Sequence, residues 1–171
     1  ATYNYLEKYL FELNAGYNGS ENFAKGKRFG LFPAISAGWV MSEENFMKKN
    51  APFISFLKIR ASVGKVGSDN VRADRFLYFP DGWDPNSGQY YFGNSSDYVT
   101  MIGAKELKLG NPNVTWETAT KQNYGIDMSF FNSRLSVNLD RFFEKRKNIL
   151  WDRGTIPAFV SVDVPRSNLG K

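Results

Sequence analysis

Across residues 116–151 the chain alternates apolar and polar positions in two long stretches on either side of Asn132-Ser133. With that pair as a two-residue turn, Phe131 faces Arg134. The ladder then pairs Phe130 with Leu135, Met128 with Val137, Ile126 with Leu139 and Tyr124 with Arg141 on one face. The other face pairs Ser129 with Ser136, Asp127 with Asn138, Gly125 with Asp140 and Lys121 with Glu144. Side chains along a strand point alternately to opposite sides, so this register makes one face apolar and the other polar. The pattern predicts a hairpin with arms of about fifteen residues, against a usual strand of ~5–6.

The same alternation recurs upstream. Residues 9–17 carry Tyr9, Phe11, Leu13, Ala15 and Tyr17 on one side and Leu10, Glu12, Asn14 and Gly16 on the other, and 18–28 form a polar loop. Residues 29–41 put Phe29, Leu31, Pro33, Ile35, Ala37, Trp39 and Met41 on one face, with Pro33 marking a bulge or strand end because it lacks an N–H. Residues 42–55 read as a connection with one helical turn, capped by Ser42 or Asn45. In 56–67, Leu57, Ile59, Ala61 and Val63 oppose Lys58, Arg60 and Ser62. The longest irregular region is 68–115, rich in aromatics among Asp, Asn, Gly and Pro. Residues 152–171 are polar, with a further strand expected near 159–164 and no closing element. The expectation is about five long strands, all-β and antiparallel.

Composition narrows the chemistry. The 171 residues include no Cys and no His, which removes disulfides, thiolate sites, the commonest general base and the commonest metal ligand. An enzyme is therefore not expected, nor a cofactor or a metal. Gly64-Lys65-Val66-Gly67-Ser68 has the letters of a phosphate loop in the wrong order. Asp81, Asp84, Asn86 and Gly88 resemble a calcium loop without its bidentate Glu, and read as a turn. The net charge of +5 leaves anionic partners open. Alternation divides Arg141, Lys145, Arg146, Lys147 and Arg153 between faces, which speaks against a nucleic-acid patch. Glu117, Lys121 and Glu144 read as a charge network rather than an acid–base pair.

No apolar run reaches the ~18 residues of a membrane helix, but barrel strands hide their hydrophobicity by alternation. Long strands, charged polar faces and aromatics at the limits of the apolar face (Tyr9, Tyr17, Trp39, Tyr124, Phe130) favour a transmembrane β-barrel. The alternative is a soluble β-sandwich carbohydrate-binding module. Arg141 on the apolar face would cost about 2–4 kcal/mol at the bilayer midplane. A band of about 9–11 residues counted from the turn ends at Tyr124 and Arg141, which places both at the outer headgroups. Trp83, Tyr90, Tyr91 and Phe92 are the candidate ligand-binding residues, since flat rings stack on sugars; they could equally pack on one another or on a lid.

The run LGNPNVTWETATKQNYGIDMSFFNSRLSVNLDRFFEKRKNILW closely resembles the late barrel region of SusC/RagA-type TonB-dependent outer-membrane transporters. FGLFPAISAGWVMSEENF and ISFLKIRASVGKVGSDNV resemble two further segments, in that family's order. The resemblance implies a plugged barrel of about 22 strands in the outer membrane of a Gram-negative, Bacteroidetes-like cell. It also implies a SusD-like surface lipoprotein over the mouth and energy from the TonB complex. Oligosaccharide or peptide would be the substrate, outer-membrane lipid the surroundings, and nucleic acid no partner. The region 68–115 becomes an extracellular loop. With no plug, TonB box or leader visible, the chain is expected to be a piece of the C-terminal half of the barrel.

Overall fold

A computed structural model describes residues 1–71, 75–154 and 162–171. Its elements in chain order are β1 (Thr2–Tyr5), β2 (Tyr9–Gly19), β3 (Phe29–Val40), a 3-10 turn (Met41–Glu43), α1 (Asn45–Asn50) and β4 (Ile54–Ser68). Four short strands follow, β5 (Trp83–Asp84), β6 (Gln89–Asn94), β7 (Asp97–Ile102) and β8 (Lys105–Glu106). Then come β9 (Glu117–Phe130), β10 (Leu135–Lys147), β11 (Ile149–Trp151) and β12 (Ser167–Gly170). The chain divides into two compact units. One comprises Ala1–Asn18, Phe29–Ser68 and Thr118–Lys147; the other comprises Gly19–Arg28, Asp69–Glu117 and Asn148–Lys171.

The first unit is a single six-stranded sheet in the order β1-β2-β3-β4-β9-β10. The β9–β10 register runs from Phe130↔Leu135 through Tyr124↔Arg141 to Lys147↔Thr118, pair for pair as the alternation requires. Phe131, Asn132 and Ser133 all take left-handed backbone (φ 52°, 54° and 64°), and Arg134 N–H donates to the Phe131 carbonyl. That twist suits a two-residue hairpin turn. β3 and β4 pair antiparallel from Ala34↔Gly64 to Val40↔Lys58. The register stops beside Pro33, which has no N–H to offer.

Several expectations need correction. The sheet has six strands rather than about five, because β1 pairs with β2 from Thr2↔Glu12 to Tyr5↔Tyr9. Its turn is Leu6-Glu7, both left-handed at φ 53° and 56°, a conformation that bulky residues seldom adopt and that no turn residue announces. Helix α1 starts at Asn45 with Glu44 at its N-cap and no side-chain cap; the Ser42 hydroxyl is buried without a partner. The region 68–115 holds regular structure that its composition did not announce, since β5 pairs with β8 and β6 with β7 inside it. The polar tail has a closing element, because β12 pairs with β11. Of the strand expected near 159–164, the first half (159–161) lies outside the described residues, and Asp163 forms only an isolated bridge to Lys108. Among the described residues the other three sheets have two strands each, whereas a sandwich packs two larger sheets.

The second unit holds a core of its own. Phe23, Val71, Leu77, Val114, Trp116 and Leu150 are all buried, and the Phe23 and Trp116 rings meet at 5.2 Å. Asn111 and Asn168 tie its segments. Asn111 Nδ2 donates to the Arg166 carbonyl and the Ser167 hydroxyl, and Asn111 N–H donates to the Leu77 carbonyl. Asn168 accepts from Thr115 N–H and donates to the Thr115 and Asn148 carbonyls. These amides pair backbone groups that loops would otherwise leave unmatched in a buried setting.

Candidate functional site: the polar face of the sheet and the exposed hairpin

On β3 and β4 the polar-face positions are small where they oppose each other, at Ala34↔Gly64 and Ser36↔Ser62. Around Ser36 and Ser62 lies a cavity of about 340 Å3, bordered also by Leu10, Glu12, Gly38, Lys58, Arg60 and Asn123. Ser36 donates to Glu12 at 3.4 Å. Beyond it Arg60 reaches across β9, its Nε donating to Asp127 (3.2 Å) and an Nη to Asp140 on β10 (2.6 Å). Gly125 makes the crossing possible: a Cβ there would stand 2.5 Å from the guanidinium carbon. Three strands are thus joined by one side chain. Arg60 remains about a third exposed, so these ion pairs position the strands more than they stabilise them.

The expected Lys121–Glu144 pair is present at 3.5 Å, with Arg146 also donating to Glu144. Ser129 and Ser136 hydroxyls meet at 3.1 Å. Sequence reasoning missed the Arg60 bridge, because β4 and β9 are neighbours in space but far apart in the chain. It also missed Phe142, which is 79% exposed and shares this face with Asp140 and Glu144. The parity of Phe142 in β10 was the available signal.

The opposite face is apolar from β2 to β10, and its rings pair at both ends. Tyr9 stacks on Trp39 (6.4 Å, 9°) and Tyr17 on Phe29 (5.3 Å, 4°), with Phe11, Leu13, Ile35 and Ala37 between. Tyr124 meets Phe143 edge-on, and the Arg141 guanidinium lies 4.7 Å from the Phe143 ring centre. Phe130 lies against Phe131. Glu44 gathers the polar tips of the first stack: Tyr9 Oη donates at 2.9 Å, Trp39 Nε1 at 3.4 Å and Lys8 Nζ at 3.3 Å. The hydrogen bond from Tyr9, then those from Trp39 and Lys8, hold the Glu44 carboxyl below its ordinary range, against a partial desolvation that pulls the other way.

In the second unit the four aromatic candidates do not converge. Tyr90 opposes Met101 and Phe92 opposes Val99, so these rings share one face of the β6–β7 hairpin. Tyr91 opposes Thr100 on the other face, where it meets Tyr98 edge-on at 5.3 Å and donates to Gln89 Oε1. Trp83 belongs to the separate β5–β8 pair, opposite Glu106. All four are exposed. The calcium-like run is a turn in which Asn86 N–H donates to Asp84 Oδ1, and the phosphate-loop letters lie within β4.

No family model matches the chain. It is 36% identical to the TonB-dependent receptor P39 of Formosa agariphila over 98% of its own length and 15% of that protein's. It is likewise 36% identical to the TonB-dependent receptor SusC of Bacteroides thetaiotaomicron, over 86% of its length and 14% of that protein's. The solved RagAB peptide importer in its 'open-open' state superposes with a TM-score of 0.75 and 18% identity, over 99% of this chain and 17% of that one. The chain belongs to the SusC/RagA-type TonB-dependent receptors. It spans about a seventh of the curated relatives it matches, and those relatives are named as receptors rather than enzymes. As in other SusC/RagA-type proteins, the architecture is that of transporter-barrel strands, here an unclosed sheet.

Proposed function

We propose that this SusC/RagA-type chain is a wall and outer-mouth segment of a TonB-dependent importer in the outer membrane of a Gram-negative, Bacteroidetes-like cell. The register of the six-stranded sheet carries the reading: one face is continuously apolar between two aromatic stacks, while the other holds ion pairs that need water. Tyr9 and Tyr17 are eight residues apart on β2. At ~3.4 Å per residue and a tilt of about 40° they differ in height by about 21 Å, close to the ~25 Å apolar band of such barrels.

In this reading Tyr124 and Arg141 lie at the outer headgroups, where the cation rests against Phe143, while Trp39 and Phe130 lie toward the inner leaflet. The tight turns are periplasmic, and 68–115 is extracellular. A SusD-like lipoprotein covers the outer mouth, and the TonB complex supplies the energy. The ligand is an oligosaccharide or a peptide, met by Trp83 and by the rings of the hairpin. Tyr91, with Tyr98 and Gln89 beside it, offers an aromatic surface edged by hydroxyl and amide groups.

Two experiments on the intact receptor test this. A membrane-impermeant maleimide should label Ser95→Cys on whole cells, and labelling only after lysis would reverse the orientation. Trp83→Ala and Tyr91→Ala should each weaken ligand binding about threefold to tenfold, the equivalent of one aromatic contact. Unchanged affinity removes them from the site.

A further inference from the structure

At the tight-turn end of the sheet, three adjacent connections present large apolar side chains to the outside. Leu6 lies in the first, Phe46 and Phe53 in the second and Phe131 in the third, each about half exposed or more. The backbone joins them into one rim: Val40 N–H donates to the Lys8 carbonyl (2.7 Å) and Phe131 N–H to the Phe53 carbonyl (3.0 Å). A contiguous row of exposed apolar side chains marks a contact surface.

The apolar face of the sheet runs out at this rim in the Tyr9–Trp39 stack, whose hydroxyl and indole N–H both turn onto Glu44. Rings with an apolar body and a polar tip settle where hydrocarbon gives way to headgroups. The charges agree. Glu43 is held by Lys48 and Glu44 by Lys8, whereas among the described residues neither Lys49 nor Arg134 has a carboxylate within ion-pair reach. Against these two cations stands only Glu7.

We propose that this rim is a phospholipid contact. Phe46, Phe53 and Phe131 enter the acyl–headgroup boundary of the leaflet on the tight-turn side, and Lys49 and Arg134 meet the phosphates of anionic lipid. The inference rests on the barrel reading and extends it from the strands to a connection outside them.

The test uses the intact receptor on a cysteine-free background, reconstituted in vesicles of phosphatidylethanolamine and phosphatidylglycerol. Single substitutions Phe46→Cys, Phe53→Cys, Ala37→Cys and Ser95→Cys carry an environment-sensitive fluorophore, and quenching by acyl-chain-brominated lipid is compared. Labels at 46 and 53 should be quenched about twofold more than the label at 95, and less than the one at 37. Replacing phosphatidylglycerol by a zwitterionic lipid, or introducing Lys49→Glu with Arg134→Glu, should reduce quenching at 46 and 53 while leaving 37 unchanged. Quenching at 37 but not at 46 and 53 overturns the rim proposal and leaves the barrel standing. Should 46 and 53 also be shielded from aqueous iodide in that case, a protein occupies the rim instead. Absence of quenching at 37 as well brings down the barrel reading and the rim with it.

Discussion

The two units of this chain reverse the usual relation between regular structure and burial. Five long strands and the short β1 build the sheet, yet among its described residues only Val40 is a buried apolar side chain. The second unit consists of connections and strands of two to six residues, yet it buries Phe23, Val71, Leu77, Val114, Trp116 and Leu150. Backbone pairing holds the sheet together internally, while its apolar face is left for its surroundings to cover. The connections do the opposite. They close on their own side chains and pair stray backbone groups with Asn111 and Asn168. The proposed placement accounts for the difference, because strands that face lipid need no core of their own and connections in water do.

The sharpest way to break this contrast is Phe23→Ala. Removing a ring that is 1% exposed and packed on Trp116 should destabilise the second unit by about 3–5 kcal/mol. Hydrogen exchange should quicken in 19–28 and 111–117 and stay unchanged in β3 and β4; a uniform response would mean that the units do not have separate stabilities. Next comes Ile35→Arg on the apolar face, which should cost about 2–4 kcal/mol if that face meets the bilayer interior. Refolding titrations into vesicles measure it, and an effect below that range would contradict a lipid-facing position.

Asn168→Ala should cost the second unit about 1–3 kcal/mol, because Thr115 loses both of its side-chain partners. Exchange of the Thr115 amide reports it directly. Smaller still is Gly125→Ala, which should displace Arg60 from its bridge to Asp127 and Asp140. In a double-mutant cycle with Arg60→Met the two changes should be strongly non-additive; simple additivity would show that the glycine serves another purpose.

The smallest effect is that of pH at Glu44. Its folded pKa lies below the ordinary value of 4.5, so its contribution is complete above that value and lost as the pH falls through the lowered one. Glu44→Gln should lower the neutral plateau slightly and flatten the acid limb, leaving stability at low pH unchanged.

Much of the sheet was legible because strand periodicity is local. Once Asn132-Ser133 was placed at the turn, every partner from Phe130↔Leu135 to Lys147↔Thr118 followed by counting. Strand β1 was not legible, because Leu6-Glu7 lacks the Asn or Gly that signals a left-handed turn. The hairpin in 68–115 carried its own pattern, with Tyr90 and Phe92 opposite Met101 and Val99 around Ser95-Ser96. The surrounding Gly, Asn and Asp hid it. The aromatic candidates were recognised as a group, but only the register showed that Tyr91 and Tyr98 face away from Tyr90 and Phe92.

By itself, then, the sequence determined the two faces of the sheet and the family to which the chain belongs, since both are written in neighbouring residues and in motif order. Tertiary structure alone decided that Arg60 would cross Gly125 to reach Asp140, and that Phe23, Leu77 and Trp116 would share one core. Those contacts join residues dozens of positions apart, and no local period encodes which distant side chain arrives. The hairpin of 116–151 could be read one residue at a time, whereas the strand that Arg60 brings to it had to be seen in place.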